Sequence, residues 1–197
     1  TPPYLVSDNI LDKVLPPTVS IAPAQVSFAK GLGFCLSNVF LSITFLAPIL
    51  IKYSYNGEEL NDLALSLCAS KERKIETLEM GNSFRKVLMD SWDYTVEENT
   101  AYPIIIGKAA KYFNLPLDLT LISFLQSIST NLINVCVKHI PVGQKVGQNC
   151  TIKTYKLIRD MQSQIESFSL DDLGGICFNN DLYSIKHENI KTRIYKT

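Results

Sequence analysis

The stretch from Asp118 to Lys138 is apolar on nearly every side of a helix. Leu121, Ile122, Phe124, Leu125, Ile128, Leu132, Ile133 and Val135 leave it no broad polar face. Such a helix must lie at the centre of a bundle or beneath a partner, because water on one side would meet a large apolar area. Asp118 reads as its N-cap, and His139 to Gly143 reads as a turn around Pro141 that ends it. Few other segments alternate with period two, and strand-like runs such as Ile104 to Ile106 are short. The pattern predicts an all-α protein, a compact helical bundle of roughly seven to nine helices.

The remaining punctuation divides the chain in three. Residues 1–23 hold Pro2, Pro3, Pro16, Pro17 and Pro23 and read as an extended, proline-rich N-terminal segment, since proline lacks an amide donor and disfavours helix before it. Residues 24–190 read as one helical domain, and residues 191–197 as a basic tail with Lys191, Arg193 and Lys196. Inside the domain the first helix runs from about Ala24 to Tyr55 with a bend at Pro48, and Asn56-Gly57 is a turn. A short helix over Glu58 to Ala69 would bury Leu60, Leu63, Ala64 and Leu67. Ser70 caps the next, Lys71 to Trp92, whose apolar positions are Ile75, Leu78, Phe84, Val87 and Leu88. Gly81 lies in its middle, where glycine costs about 1 kcal/mol relative to alanine, so another backbone should approach there. Pro103 suits the first turn of a helix ending near Phe113. After Pro141, a stripe of Val146, Cys150, Leu157, Ile158, Met161 and Ile165 marks a helix over Gln144 to Ser167. Asp181 would cap a last short helix to Ile190.

Composition narrows the function. The 197 residues suit one domain with a real core, apolar residues make 46% of the chain, and 19 cations balance 19 anions. No global field attracts nucleic acid, and no basic stripe with interleaved aromatics is present. Cys35, Cys68, Cys136, Cys150 and Cys177 are odd in number and without CxxC spacing. They read as buried free thiols of a reducing compartment and neither as a disulfide framework nor as a zinc motif. The N-terminus shows no charged-then-apolar signal pattern, and Thr1 in place of Met leaves open an upstream portion. Gly31 to Ile51 carries no charge, but it contains Ser37, Asn38, Ser42, Thr44 and Pro48. It reads as a buried helix, with a membrane-associated helical protein as the alternative.

Catalytic chemistry finds little support in the residue pattern. Gly31 and Gly33 lack the further glycines and lysine of a phosphate loop, and no nucleophile signature surrounds a cysteine. Asp171-Asp172 is a carboxylate pair that reads as a solvated turn or an amide cap. His187-Glu188 lacks the second histidine of a zinc motif and reads as a helix-end hydrogen bond. Arg73 beside Glu72 and Glu76 makes an exposed (i, i+3) ion pair or an interface anchor. No catalytic residue, metal ligand or bound cofactor is assigned.

Three ordered stretches carry a resemblance. Ala69-Ser70-Lys71-Glu72-Arg73-Lys74-Ile75-Glu76, closing on Met80-Gly81, is the first. Ile140-Pro141-Val142-Gly143-Gln144-Lys145-Val146-Gly147-Gln148 is similar to a Pro-Leu-Gly-Gln-x-x-Gly-Gln signature, with Val142 for Leu. The third is Leu170-Asp171-Asp172-Leu173-Gly174, then His187-Glu188, then Arg193-Ile194-Tyr195. Together, over residues 57–197, they resemble the urease accessory protein F family. Thr192 stands where that family usually has Ser, and its N-terminal Leu-Pro-Ile-Gly and Gly-Leu-Glu elements are not readable here.

The resemblance implies an all-α, cytoplasmic chaperone without turnover, required for maturation of urease's nickel centre. It implies binding to the urease accessory D/H scaffold, recruitment of the urease accessory G GTPase, delivery of nickel to apo-urease, and a homodimer within that assembly. Nickel would pass through the complex. Neither nucleic acid nor membrane is an expected partner. Interface candidates are Glu72, Arg73, Glu76, Gln144, Gln148, His187, Glu188, Arg193 and Tyr195; Gly81, Pro141, Gly143, Gly147, Asp171 and Asp172 are structural candidates. Gly143 and Gly147 would let helices cross closely, while Gln144 and Gln148 would face a partner or cap amides. The alternative within this frame is a GTPase-activating regulator acting through Arg73 or Arg193.

Overall fold

The computed structural model describes residues 46–139, 143–173 and 178–189, of which 139, 178–180 and 183 as backbone alone. The segment 1–23, the helix expected over 24–45, Pro141 and the tail 191–197 with Arg193 and Tyr195 lie outside the described residues. The described residues hold seven α-helices and no strand, so the all-α expectation stands. Helix α1 covers 46–55. It is followed by α2 (Asn61–Ser66), α3 (Lys71–Trp92), α4 (Tyr102–Tyr112) and α5 (Leu117–His139). Helix α6 (Gly143–Ser167), a single 3-10 turn (Leu170–Asp172) and α7 (Phe178–His187) complete the series.

Several boundaries follow the local chemistry read from the sequence. Gly57 takes φ +99° at the end of α1, a conformation open to glycine. Ser70 is extended, and its Oγ accepts a hydrogen bond from the Arg73 amide at 3.2 Å. Pro103 sits in the first turn of α4. Two acidic caps fall differently. The Pro116 carbonyl already accepts the Thr120 amide at 3.0 Å, so α5 begins at Leu117 and Asp118 lies inside its first turn. Helix α7 begins at Phe178, which puts Asp181 in its first turn as well. Both carboxylates still face the positive end of a helix dipole. Helix α2 is shorter than expected: Leu60 and Ala64 are buried, but Leu63 is exposed and Leu67 only half-buried.

The helix that the bundle surrounds is α4. Ile104, Ile105 and Ile106 sit in one turn, yet each joins a different part of the core. Ile104 packs with Leu50, Leu60, Ala64 and Ala101. Ile105 packs with Leu88, Val96 and Ala109. Ile106 adjoins Ala47, Ile51, Leu121, Leu125, Ile158 and Ile165. Consecutive side chains on a helix point about 100° apart, so with Ile104 and Ile105 fully buried and Ile106 partly so, neighbours must stand on several sides. The strand-like triple isoleucine is therefore the mark of the central helix. Gly107 permits the closest approach: a Cβ there would lie 2.6 Å from the Ile51 carbonyl oxygen of α1. Ser54 Oγ donates to the Ile104 carbonyl at 2.9 Å across the same contact.

Helix α5, the long helix that reads as apolar on nearly every side, is less enclosed than expected. Leu121, Phe124, Leu125 and Ser129 are buried, whereas Leu119 and Val135 are exposed. It is the one described helix long and apolar enough to cross a membrane, judged by length and composition. Its N-terminal half is spent on the core, and the rest packs on α6. There Gly147 lets the two helices close, since a Cβ would lie 2.5 Å from Val137 Cγ2. Cys150, Ile158 and Ile165 of the α6 stripe are buried, but Leu157 is exposed because it lies to the side of that stripe. On α3, Leu88 is buried while Ile75 and Val87 are exposed. The described end of the uncharged 31–51 run, from Ala47 to Ile51, is buried in the core, as read.

Two devices hold the long connections. Gly81 of α3 faces the loop 93–101: a Cβ there would stand 2.1 Å from the Thr100 carbonyl oxygen, which is the close backbone approach expected of it. The loop is pinned by Asn82 Oδ1, which accepts from the Asn99 amide at 3.0 Å. Asn61 Oδ1 accepts from the Ala101 amide at 2.8 Å, and Arg85 Nε donates to the Val96 carbonyl at 2.7 Å. At the other end, the Lys52 ammonium donates to the carbonyls of Ile165, Glu166 and Phe168 at 3.2, 2.8 and 2.8 Å. A cation there satisfies the orphan carbonyls of the α6 C-terminus and complements its dipole.

Gly81→Ala should destabilise the protein by about 1–3 kcal/mol in urea unfolding, because the backbone at Thr100 cannot yield as a side chain would. A rise in the midpoint, as helix propensity alone would give, would contradict this packing. Lys52→Met should cost about 1–3 kcal/mol, since three carbonyls lose a charged donor while the stem volume is kept.

Candidate functional site

The first turn of α3 and the last turn of α7 meet, and they carry most of the described polar candidates. A helix start offers amide donors with no partner in the helix. Ser70 satisfies the Arg73 amide, and the Glu188 Oε1 carboxylate accepts from the Lys71 amide at 2.8 Å. A carboxylate at this place is favoured by the dipole as well as by the hydrogen bond. Ser70 Oγ and Ser184 Oγ share a hydrogen bond of 2.6 Å. His187 Nδ1 donates to Glu72 Oε2 at 2.8 Å, with the Glu72 side chain 13% exposed and that of His187 41%. These contacts join residues 114 to 117 apart in the chain. The His187-Glu188 pair thus holds two helix ends together, which is the helix-end role read for it.

Arg73 and Glu76 lie next to this clasp. The Arg73 guanidinium is 3.5 Å from Glu76 Oε2, the (i, i+3) pair expected, but the Arg73 side chain is largely covered, at 20% exposed. Both line a cleft of about 280 Å³ that is mostly apolar, with Leu67, Cys68, Met80 and Asp181 among its walls. Burial pushes the Cys68 thiol above its ordinary value, against the opposing pull of Arg73 and Lys74. Cys136 and Cys150 are likewise in no disulfide, and burial pushes both thiols up. The described cysteines are thiols outside any disulfide, as expected, but only Cys150 is buried and Cys68 and Cys136 are half-buried; Cys35 and Cys177 lie outside the described residues.

The other candidates stand apart from the clasp. Gln144 and Gln148 are exposed on α6, Gly143 takes φ +70° in open space, and Gly147 is buried at the α5 crossing. Asp172 closes a capping box: its carboxylate accepts from the Ser169 amide at 2.7 Å and from Ser169 Oγ at 2.9 Å. Those two bonds favour the ionised carboxylate and hold its pKa below the ordinary carboxylate range. Asp171 points to solvent. Among the described residues no group of three or more His, Cys, Asp or Glu side chains is placed to hold a metal ion.

Sequence reasoning missed Ser184, Asn61, Asn82, Arg85 and Lys52. Lys52 alone left a signal, as the first charge after a long apolar run. The rest act on partners distant in sequence, which no local spacing reveals.

The fold and the clasp define an all-α helical protein whose polar candidates join helix ends. The model of the UreF family matches residues 56–153. The chain is 33% identical over 147 residues to the urease accessory protein UreF of Xanthobacter autotrophicus, covering 71% of this chain and 60% of that relative. It is 32% identical to that of Jannaschia sp. over 71% of this chain and 63% of the relative. To that of Rhodopseudomonas palustris strain BisB18 it is 31% identical over 86% and 73%. This chain belongs to the UreF family of urease accessory proteins. It spans less than two thirds of the length of the first two of these relatives. The family model covers the α3 side of the clasp, whereas His187 and Glu188 lie beyond the matched residues.

Replacing His187 and Glu188 together by alanine should free α7 from α3. Amide exchange should quicken across α7 and at Lys71, while α4 keeps its protection, because the clasp lies outside the core clusters. Equal protection in the variant and the parent would show that the clasp holds nothing.

Proposed function

We propose that this protein is an accessory factor in urease maturation that works in the cytoplasm by binding other proteins and carries out no turnover. In this reading it docks on the urease accessory D/H scaffold, recruits the accessory G GTPase, and pairs with a second copy in the assembly that loads nickel into apo-urease. Family membership supports the broad role. The observation that carries the adaptor reading is the clasp: Glu72 meets His187, and the Lys71 amide meets Glu188. Two stretches that resemble the family at opposite ends of the domain are thereby made one surface. The basic tail follows α7 directly in sequence, so α7 gives it a fixed base from which Arg193 can reach a partner carboxylate and Tyr195 an apolar pocket.

The test is co-purification of the chain with the scaffold and the GTPase, repeated with the chain cut after Ile190. The intact chain should hold both partners, and the cut chain should lose the GTPase. An intact, folded chain that retains neither partner would refute the adaptor role.

A further inference from the structure

One end of the bundle carries an aromatic cluster that only half belongs to the core. Helix α3 ends at Trp92 and α4 at Tyr112, and Phe113 follows at once. The Phe113 ring lies 5.6 Å from Trp92, 5.0 Å from Tyr112 and 5.7 Å from Tyr94, while Tyr94 and Tyr112 stack at 4.1 Å. Trp92 and Tyr112 stand at 85° and 89° to Phe113, as walls around it. Tyr94 and Phe113 are half-buried against Leu88, Val96, Ile105 and Ala109. Trp92 and Tyr112 lie outside that cluster, 51% and 56% exposed, and Leu115 is 50% exposed. Neither the Trp92 indole N–H nor the Tyr112 hydroxyl makes a hydrogen bond among the described residues. Exposed rings gathered in this way mark a surface that something covers.

The chemistry of the rings says what fits. Proline rings pack on aromatic faces, and a polyproline stretch presents carbonyls with no amide beside them to compete, which indole N–H and phenol O–H groups can donate to. Its dihedrals are set in advance, so docking costs little ordering entropy. The chain itself carries such a stretch in Val14-Leu15-Pro16-Pro17, and no charge falls between Lys13 and Lys30.

The tether is long enough. Residues 18–45 join this stretch to Leu46 at the start of α1, and their full reach is about 90 Å. Helix α1 is about 15 Å long. At its far end the Tyr55 hydroxyl donates to the Leu115 carbonyl at 3.0 Å, two residues from Phe113. The distance to be covered is a small part of the reach.

We infer that Trp92, Tyr112 and Phe113 form a docking site for a polyproline segment, and that its occupant is Leu15-Pro16-Pro17 of the same chain. This docking is independent of the adaptor role. Trp92 is the one tryptophan of the chain, so its fluorescence reports on this site alone. Acrylamide quenching and the emission maximum would be measured for the parent and for full-length Pro16→Ala/Pro17→Ala, with circular dichroism as the check of folding. Should the double variant unfold, Pro17→Ala alone is read in the same way. The variant's quenching constant should rise about twofold and its emission shift to the red, because an occupant lying across the indole shields one of its two faces. A peptide of residues 12–20 added to the variant at about 1 mM, the order of local concentration a tether supplies, should restore the parent's value. With Tyr112→Ala added to the variant, the peptide should lose its effect. Equal quenching in parent and folded variant overturns the inference, and if the peptide still protects Trp92 the site takes its proline segment from another protein. A parent value that changes on dilution also overturns it, since a second copy would then supply the cover.

Discussion

The bundle depends on one eleven-residue helix, α4, which buries Ile104, Ile105, Gly107, Ala109 and Ala110. Ile104 and Ile105 are fully buried in separate clusters and Ile106 packs, partly buried, against a third, and each cluster brings in a different neighbour. Burying one isoleucine fully is worth about 1.5–3 kcal/mol. Two such residues, with Ile106 partly buried beside them, hold α1, α3 and α5 around a common axis. That arrangement needs close contact, and Gly107 provides it against the Ile51 carbonyl. The carbonyl end of α6 is then tied to the same framework through Lys52 of α1.

The polar chemistry sits at the ends of helices and not inside the bundle. Ser70, Lys71 and Glu72 begin α3, while Ser184, His187 and Glu188 finish α7. An N-terminus with unsatisfied amides and a C-terminus followed by a carboxylate are complementary, which gives the clasp its direction. The glutamine-glycine signature at the start of α6 obeys the same economy. Gly147 is used for close packing, and its glutamine neighbours are left on the surface. The family to which the chain belongs is named for an accessory role.

Much of the fold was legible in the sequence. Ser70, Pro103 and Asn56-Gly57 set helix limits through their own backbone chemistry, and Gly81 announced a close approach that the Thr100 carbonyl fulfils. The three ordered motifs pointed to the family. The candidate site was legible only in part. Glu72, His187 and Glu188 were singled out, but no spacing could show that they touch, and Ser184 had no mark at all.

What the sequence determined by itself is everything governed by neighbours within a few residues: the all-α class, most helix starts, the turn at Gly57 and the family. What only the tertiary structure decided is which helix is central and which ends meet. Hydrophobic periodicity singles out a long helix that is apolar on nearly every side, and by that measure α5 should occupy the centre. Burial instead follows from how many neighbours surround a helix, and the shorter α4 meets three clusters with three successive isoleucines. The Glu72–His187 contact spans 115 residues. It exists because two packed helices bring their opposite ends together, a property of the assembled bundle and of neither segment alone.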